Sequence, residues 1–205
     1  MKIAIMVEGK TERAFKAQLR TFLEARLTGP MPRLDFQPYD GRLPKEVRLK
    51  REVHLLLTSG REPADAVIAL TDVYTGTNPP DFADAADARE KMRKWVGPEG
   101  RFHPHAAQHD FEAWLLPYWD EIQRLAGSNH KAHWSSPEQV NHGNPPSRRI
   151  IEAFRTGKTG RAYSKTRDAA KILRDKDLLV SARACPELKA FLNTILVLCG
   201  AKEIG

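Results

Sequence analysis

The sequence has 205 residues, of which 41% are hydrophobic and 29% charged, with a formal net charge of +7. These values exclude wholesale disorder and point to one α/β domain with a small helical appendage. No apolar run approaches the roughly 20 residues a membrane span needs, and Lys2 to Glu8 turns acidic too early for a signal peptide, so a cytoplasmic protein is expected.

Residues 2–7 form a short apolar run that reads as a buried strand, broken by Gly9. Thr11 is placed to cap a helix reaching about Leu27, with Phe15, Leu19, Phe22 and Leu23 on one stripe. Leu34 to Tyr39 reads as a second strand, and Pro44 to Thr58 as a helix stopped by Ser59-Gly60. Ala66 to Leu70 is a third buried strand with Asp72 at its end. A helix from Phe82 to Val96 and a strand from Phe102 to Gln108 follow. Phe111, Trp114, Leu115, Tyr118, Ile122 and Leu125 then form the stripe of one further helix. Strands alternating with helices predict a mainly parallel four-stranded sheet over residues 1–126. Ser128 to Pro146 is rich in Ser, Asn, His and Pro and reads as a long loop. The remainder is helical, so residues 127–205 form an extension packed on the core as one unit. Cys185 and Cys199 lie in apolar helical sequence and read as buried, reduced thiols.

Open α/β sheets place their ligands at the carboxyl ends of the strands. Glu8 follows the first strand, Asp72 the third, and His109, Asp110 and Glu112 the fourth. Acids arriving from three strand ends suit a hard divalent cation, which takes carboxylate oxygens and keeps waters. The competing reading is that each acid caps a helix or pairs on the surface. Glu12, one turn after Glu8, either adds a ligand or favours a positive helix N-terminus. Gly9-Lys10-Thr11 lacks the earlier glycine a phosphate loop needs, since position 4 is Ala4. His103, His105 and His109 have no nearby cysteine and read as surface or single catalytic histidines rather than as a zinc site. His109 and Glu112 are spaced to share a helix face. Between Ser147 and Lys176 ten basic residues face three acidic ones. That run reads either as a phosphate-holding field or as a solvated helical face.

Glu8-Gly9-Lys10-Thr11-Glu12 after a buried strand resembles the first Toprim motif of topoisomerases, primases and OLD-type nucleases. Ala69 to Tyr74 is similar to the strand and Asp-Leu-Tyr element of a Toprim-like family known only as domain of unknown function 4276. Pro104 to Leu116 resembles its His-Glu-Phe-Glu-Ala-Leu-Leu block. Pro146 to Ile150, Tyr163-Ser164-Lys165 and Ala184 to Leu192 match three later elements, in order. Two departures stand out. Tyr74 occupies the second position of a full Toprim Asp-x-Asp pair, and Asp110 stands where the family commonly has Glu.

The resemblance implies a Toprim-like fold and a metal-dependent nuclease acting on DNA or RNA. On that reading Glu8, Asp72 and Glu112 hold Mg2+ or Mn2+, with Glu12 and Asp110 as auxiliary ligands. His109 or Lys10 donates a proton or clamps a phosphate, and Arg148, Arg149 and Lys165 grip the backbone. An ATPase partner in a bacterial antiphage system is implied as well. Two alternatives remain open: a non-catalytic scaffold docking on an ATPase, which the missing second aspartate favours, and a phosphotransfer enzyme using the same metal on a small substrate.

Overall fold

The computed structural model describes the chain except residues 10, 40, 75, 132–135 and 140–142, and gives only the backbone at 11–14. Four strands form one sheet: β1 (Lys2–Val7), β2 (Arg33–Pro38), β3 (Ala66–Asp72) and β4 (Phe102–Ala107). The order is β2-β1-β3-β4, and every pairing is parallel. Ile5 lies beside Phe36 on one side and Ile68 on the other, and Asp72 lies beside Ala107.

Strand alternation divides the core in two. Ile3, Ile5, Val7, Ile68 and Leu70 face α1 (Thr11–Glu24) through Phe15, Leu19 and Leu23. Ala4, Met6, Val67 and Ala69 face α2 (Glu46–Thr58) and α3 (Ala85–Val96) through Leu49, Val53 and Met92. The α1 face also carries the C-terminal helices α5 (Pro146–Thr156), α6 (Lys165–Leu173), α7 (Leu178–Ala184) and α8 (Pro186–Leu198). Ile150, Phe154, Ile172, Leu188, Phe191 and Ile195 join the same apolar cluster as β1 and α1.

The α/β architecture with a parallel four-stranded sheet, inferred from the alternating pattern, is the observed one. Element ends move where local chemistry is strong. α3 starts at Ala85, because the Asp84 carboxylate accepts the Asp87 N–H at 2.8 Å and caps it. The single helix expected after β4 is instead two 3-10 turns, Phe111–Trp114 and Leu116–Tyr118, followed by α4 (Trp119–Ala126). Pro117 is the physical reason: it lacks an N–H, and its ring clashes with the preceding helical turn. The long loop after Gly127 includes a 3-10 turn, Pro137–Gln139. There the buried Glu138 accepts from Trp114 Nε1 at 3.2 Å and from the Glu187 N–H at the start of α8 at 3.1 Å. Among the described residues, no helix is long and apolar enough to cross a membrane.

Candidate active site at the carboxyl edge of the sheet

α1 lies on one face while α2 and α3 lie on the other, so the sheet changes hand between β1 and β3. This switch point is where open α/β sheets leave a crevice at their carboxyl ends. Glu8 and Asp72 flank it.

The two acids nevertheless turn to opposite faces. Val7 pairs with Leu70, so Glu8 comes level with Thr71 rather than Asp72. The Glu8 carboxylate accepts the Thr71 hydroxyl and lines a small recess with Arg42, Lys45, Asp81 and Met92, on the α2 and α3 face. Lys45 and Asp81 pair there at 2.6 Å. Asp72, one residue past Thr71, faces the α1 side, where its Oδ1 accepts the Phe111 N–H at 2.9 Å. The two side chains thus leave neighbouring strands toward opposite faces, because alternate residues of a strand face opposite ways. Among the described residues, no three His, Cys, Asp or Glu side chains gather as a metal cluster.

On the Asp72 side the chain past β4 delivers two buried acids. His109 adopts a left-handed φ of 68° and stays out of the 3-10 turn, so it shares no helix face with Glu112. Its carbonyl accepts the Tyr74 N–H, tying together the loops after β3 and β4. Asp110 is 3% exposed, and its Oδ2 accepts the Ser147 N–H in the first turn of α5 at 3.2 Å. Asp110 Oδ1 is buried without a hydrogen-bond partner among the described residues. Burial first, then the Glu112 carboxylate, push the Asp110 carboxyl up to about 7, against the pull of Ser147 and Lys165.

Glu112 is 1% exposed, and Lys165 Nζ stands 3.3 Å from its Oε1. Lys165 opens α6 and meets more than one acid. Burial works against its charge, but Glu112, Asp72 and Asp110 together outweigh burial and hold the ammonium above its ordinary range. Tyr163 points its hydroxyl at this group; burial, then Glu112, Asp168 and Asp110, raise that hydroxyl far above the usual phenol range. Its ring packs on Phe154 with centroids 5.4 Å apart. The segment is fixed by the fully buried Asp168, which accepts from Ser164 N and Arg161 Nη1, each at 2.7 Å, and from Arg167 Nε at 3.2 Å.

The structure therefore brings Asp72, Asp110, Glu112 and Lys165 together and places Glu8 behind them on the other face. Arg148 and Arg149 lie in the first turn of α5, the turn tied to Asp110. Lys10 lies outside the described residues, and of Glu12 only the backbone is described, in the first turn of α1. Tyr163 and Asp168 were not anticipated as site-building residues, although an Asp four residues after Ser164 is a helix-start pattern.

Two comparisons bear on this arrangement. The family model of the domain of unknown function (DUF4276) matches residues 7–196. The chain belongs to that family. Among solved structures, this DUF4276 chain is similar to the C-terminal region of the Burkholderia pseudomallei OLD protein. The TM-score is 0.55 at 12% sequence identity, covering 96% of this chain and 98% of that one. That likeness is one of fold. No curated protein matches.

Chemically, the DUF4276 site couples buried carboxylates to one ammonium, with a basic helix start beside them. Asp110 Oδ1, buried and unpartnered among the described residues, with the Glu112 carboxylate beside it, suits a hard cation that keeps several waters.

Proposed function

We propose that this chain is a metal-dependent nuclease that hydrolyses phosphodiester bonds of DNA or RNA at the Asp72, Asp110 and Glu112 edge. The observation that carries this reading is the drawing of the Lys165 ammonium among three carboxylates beside a basic helix start. A purely structural ion pair needs one carboxylate. Three acids around one lysine give a centre that holds both a cation and a phosphate. Asp110 and Glu112, with Asp72, would hold Mg2+ or Mn2+. When bound, such an ion supplies charge stabilisation of the phosphoryl oxygens and an acidified water.

The chain's own groups do the rest. Lys165, with its ammonium kept charged, contacts a non-bridging phosphate oxygen. Arg148 and Arg149 align the strand at the start of α5, where helix N–H groups also favour phosphate. Tyr163 stays protonated, its buried hydroxyl held beside the Glu112 carboxylate. The resemblance to OLD-type nucleases supports an effector of antiphage defence working with an ATPase partner.

The test is a cleavage assay on single- and double-stranded DNA and on RNA with Mg2+, Mn2+ or chelator. Metal-dependent cleavage that is lost in Glu112→Gln and in Asp110→Asn is the expected result. A second reading, a non-catalytic scaffold on an ATPase, is favoured by Glu8 being turned to Thr71 and by Tyr74 in place of an aspartate. Metal binding without cleavage of any of these substrates would make that reading the better one.

A further inference from the structure

A large cavity is remote from the acidic edge. A cleft of about 1030 Å³ runs along the first half of β4, between α3 and α8. β4 closes one side of the sheet, but strand addition does not suit this edge. The carbonyls of Arg101 and Ala107 accept from Val67 and Val73, so the even-numbered residues turn their backbone outward. Among them Pro104 has no N–H to offer. The cleft is shaped for a ligand rather than for another strand, and its size is that of small-molecule pockets.

Two imidazoles line its floor. His103 and His105 occupy alternate positions of β4 and face α8, where His105 Nε2 lies 2.9 Å from Thr194 Oγ1. The His105 ring meets Phe191 edge-on at 5.7 Å and is 6% exposed, so it is a core residue and not the surface histidine the sequence suggested. Even so, His105 Nδ1 is buried with no hydrogen-bond partner among the described residues, and so is His103 Nε2. Orphaned buried polar atoms are uncommon in folded proteins and mark places where something else supplies the bond.

The charges around these rings are one-sided. Burial, then Arg89, His103 and Arg93, all push the His105 imidazole down to about 3, and no negative group opposes them. His103 is lowered by burial and by Arg93. Of the acids lining the cleft, Glu187 pairs with Arg89, Glu99 pairs with Arg101 at 3.2 Å, and Glu203 lies on the tail after α8. Arg93 has no ion-pair partner among the described residues. Phe102, Val197 and Leu198 form an apolar stretch of the wall, beside Asn193 and Thr194.

We propose that this cleft binds a mononucleotide-sized phosphate ester, its phosphate held by Arg93 with His103 and His105 and its body lying on Phe102, Val197 and Leu198. A tetrahedral oxyanion offers an acceptor to each of three donors. The cavity far exceeds a bare phosphate, and its apolar wall needs an organic group to cover it. Binding here is independent of the nuclease reading, because none of these residues belongs to the acidic edge.

The experiment is thermal unfolding of the full chain with 5′-AMP, adenosine or inorganic phosphate, followed by calorimetric titration. 5′-AMP should raise Tm with concentration by binding the folded state, adenosine should not, and phosphate should act more weakly than 5′-AMP. Arg93→Ala, at an exposed position, should weaken 5′-AMP binding at least about tenfold, the loss of a charge-assisted contact. Arg148→Ala, at the acidic edge, should leave it unchanged. Histidine side-chain NMR should show His103 and His105 shifting on addition of 5′-AMP. The proposal is overturned if 5′-AMP gives no shift at millimolar concentration, if Arg93→Ala binds as the parent does, or if phosphate alone binds as tightly as 5′-AMP.

Discussion

Glu8 and Glu112 are both buried carboxylates at the carboxyl edge of one sheet, yet the two faces satisfy them differently. On the α2 and α3 face, Glu8 receives a hydroxyl proton from Thr71. On the α1 face, Glu112 receives an ammonium that also feels Asp72 and Asp110. A hydroxyl satisfies a lone pair without cancelling a charge. An ammonium cancels a charge, and a metal ion can share or take over that role. The comparison teaches that the donor completing a buried acid, hydroxyl or ammonium, decides how its charge is met.

Removing the cation tests the contrast most severely. Lys165→Met leaves Glu112 buried beside Asp110 without a counter-charge. Breaking a buried pair costs about 3–5 kcal/mol. The Lys165 side chain is 53% exposed, so solvent screening reduces the expected loss to roughly 2 kcal/mol. Urea unfolding in chelator measures it. Adding Glu112→Gln should recover most of the loss, and the double-mutant cycle should show strong coupling. Additive effects would mean that Lys165 and Glu112 are neighbours without being partners.

Much of this was legible in the sequence, and the illegible part has a physical cause. Buried β-rich runs and capped helices placed four parallel strands, and the rule of carboxyl ends placed Glu8, Asp72, Asp110 and Glu112 at one edge. Which face Glu8 takes depends on its register with β3, and register is a tertiary property that no local pattern prints. Lys165 was one of ten cations in a basic run, indistinguishable by spacing. It is set apart by Asp168, buried three residues later, which pins the start of α6. Pro117 was visible all along, and the apolar stripe around it concealed the helix break.

The pH dependence sharpens the comparison further. Asp110 rises from 3.8 to about 7 on folding. Between those values the folded state keeps a proton that the unfolded state has lost, so stability is greatest at the acid end and falls as pH climbs toward 7. In chelator the Asp110 contribution to the decline should be on the order of 4 kcal/mol between pH 4 and 8, flattened in Asp110→Asn. On the proposed metal reading, Mg2+ binds the ionised form and should shrink the decline in the parent but not in Asp110→Asn. Urea midpoints across that range, with and without Mg2+, are the measurement. A decline that survives Asp110→Asn unchanged would assign it to another group, of which Glu138, raised to about 7 by burial, is the first to test.

A smaller effect is expected behind the edge. Thr71→Val removes the hydroxyl donated to Glu8 and should cost about 1–2 kcal/mol, the penalty of leaving a buried acceptor unmet. The Thr71 hydroxyl carries no charge, so the loss of this one hydrogen bond should change little with salt. The Lys165→Met loss should be greater at low ionic strength, since the ammonium end is partly solvent-exposed.

The smallest expected effect decides the most. Glu8→Gln keeps an oxygen that accepts the Thr71 hydroxyl while deleting the charge, so stability should move by less than about 0.5 kcal/mol. Asp72→Asn likewise retains an oxygen for the Phe111 N–H. Each substitution thus keeps its hydrogen bond and deletes one charge, the Asp72 charge being the one that Lys165 feels. If the reactive side is the Lys165 side, Asp72→Asn abolishes metal-dependent stabilisation and cleavage, whereas Glu8→Gln leaves metal-dependent stabilisation in place. If Glu8→Gln abolishes both as completely, the Glu8 carboxylate must swing across the switch point to join Asp72 when metal binds. The division between the two faces would then describe the metal-free protein alone. Calorimetric Mn2+ titration of the two variants, alongside their cleavage rates, separates these outcomes without either variant having to unfold.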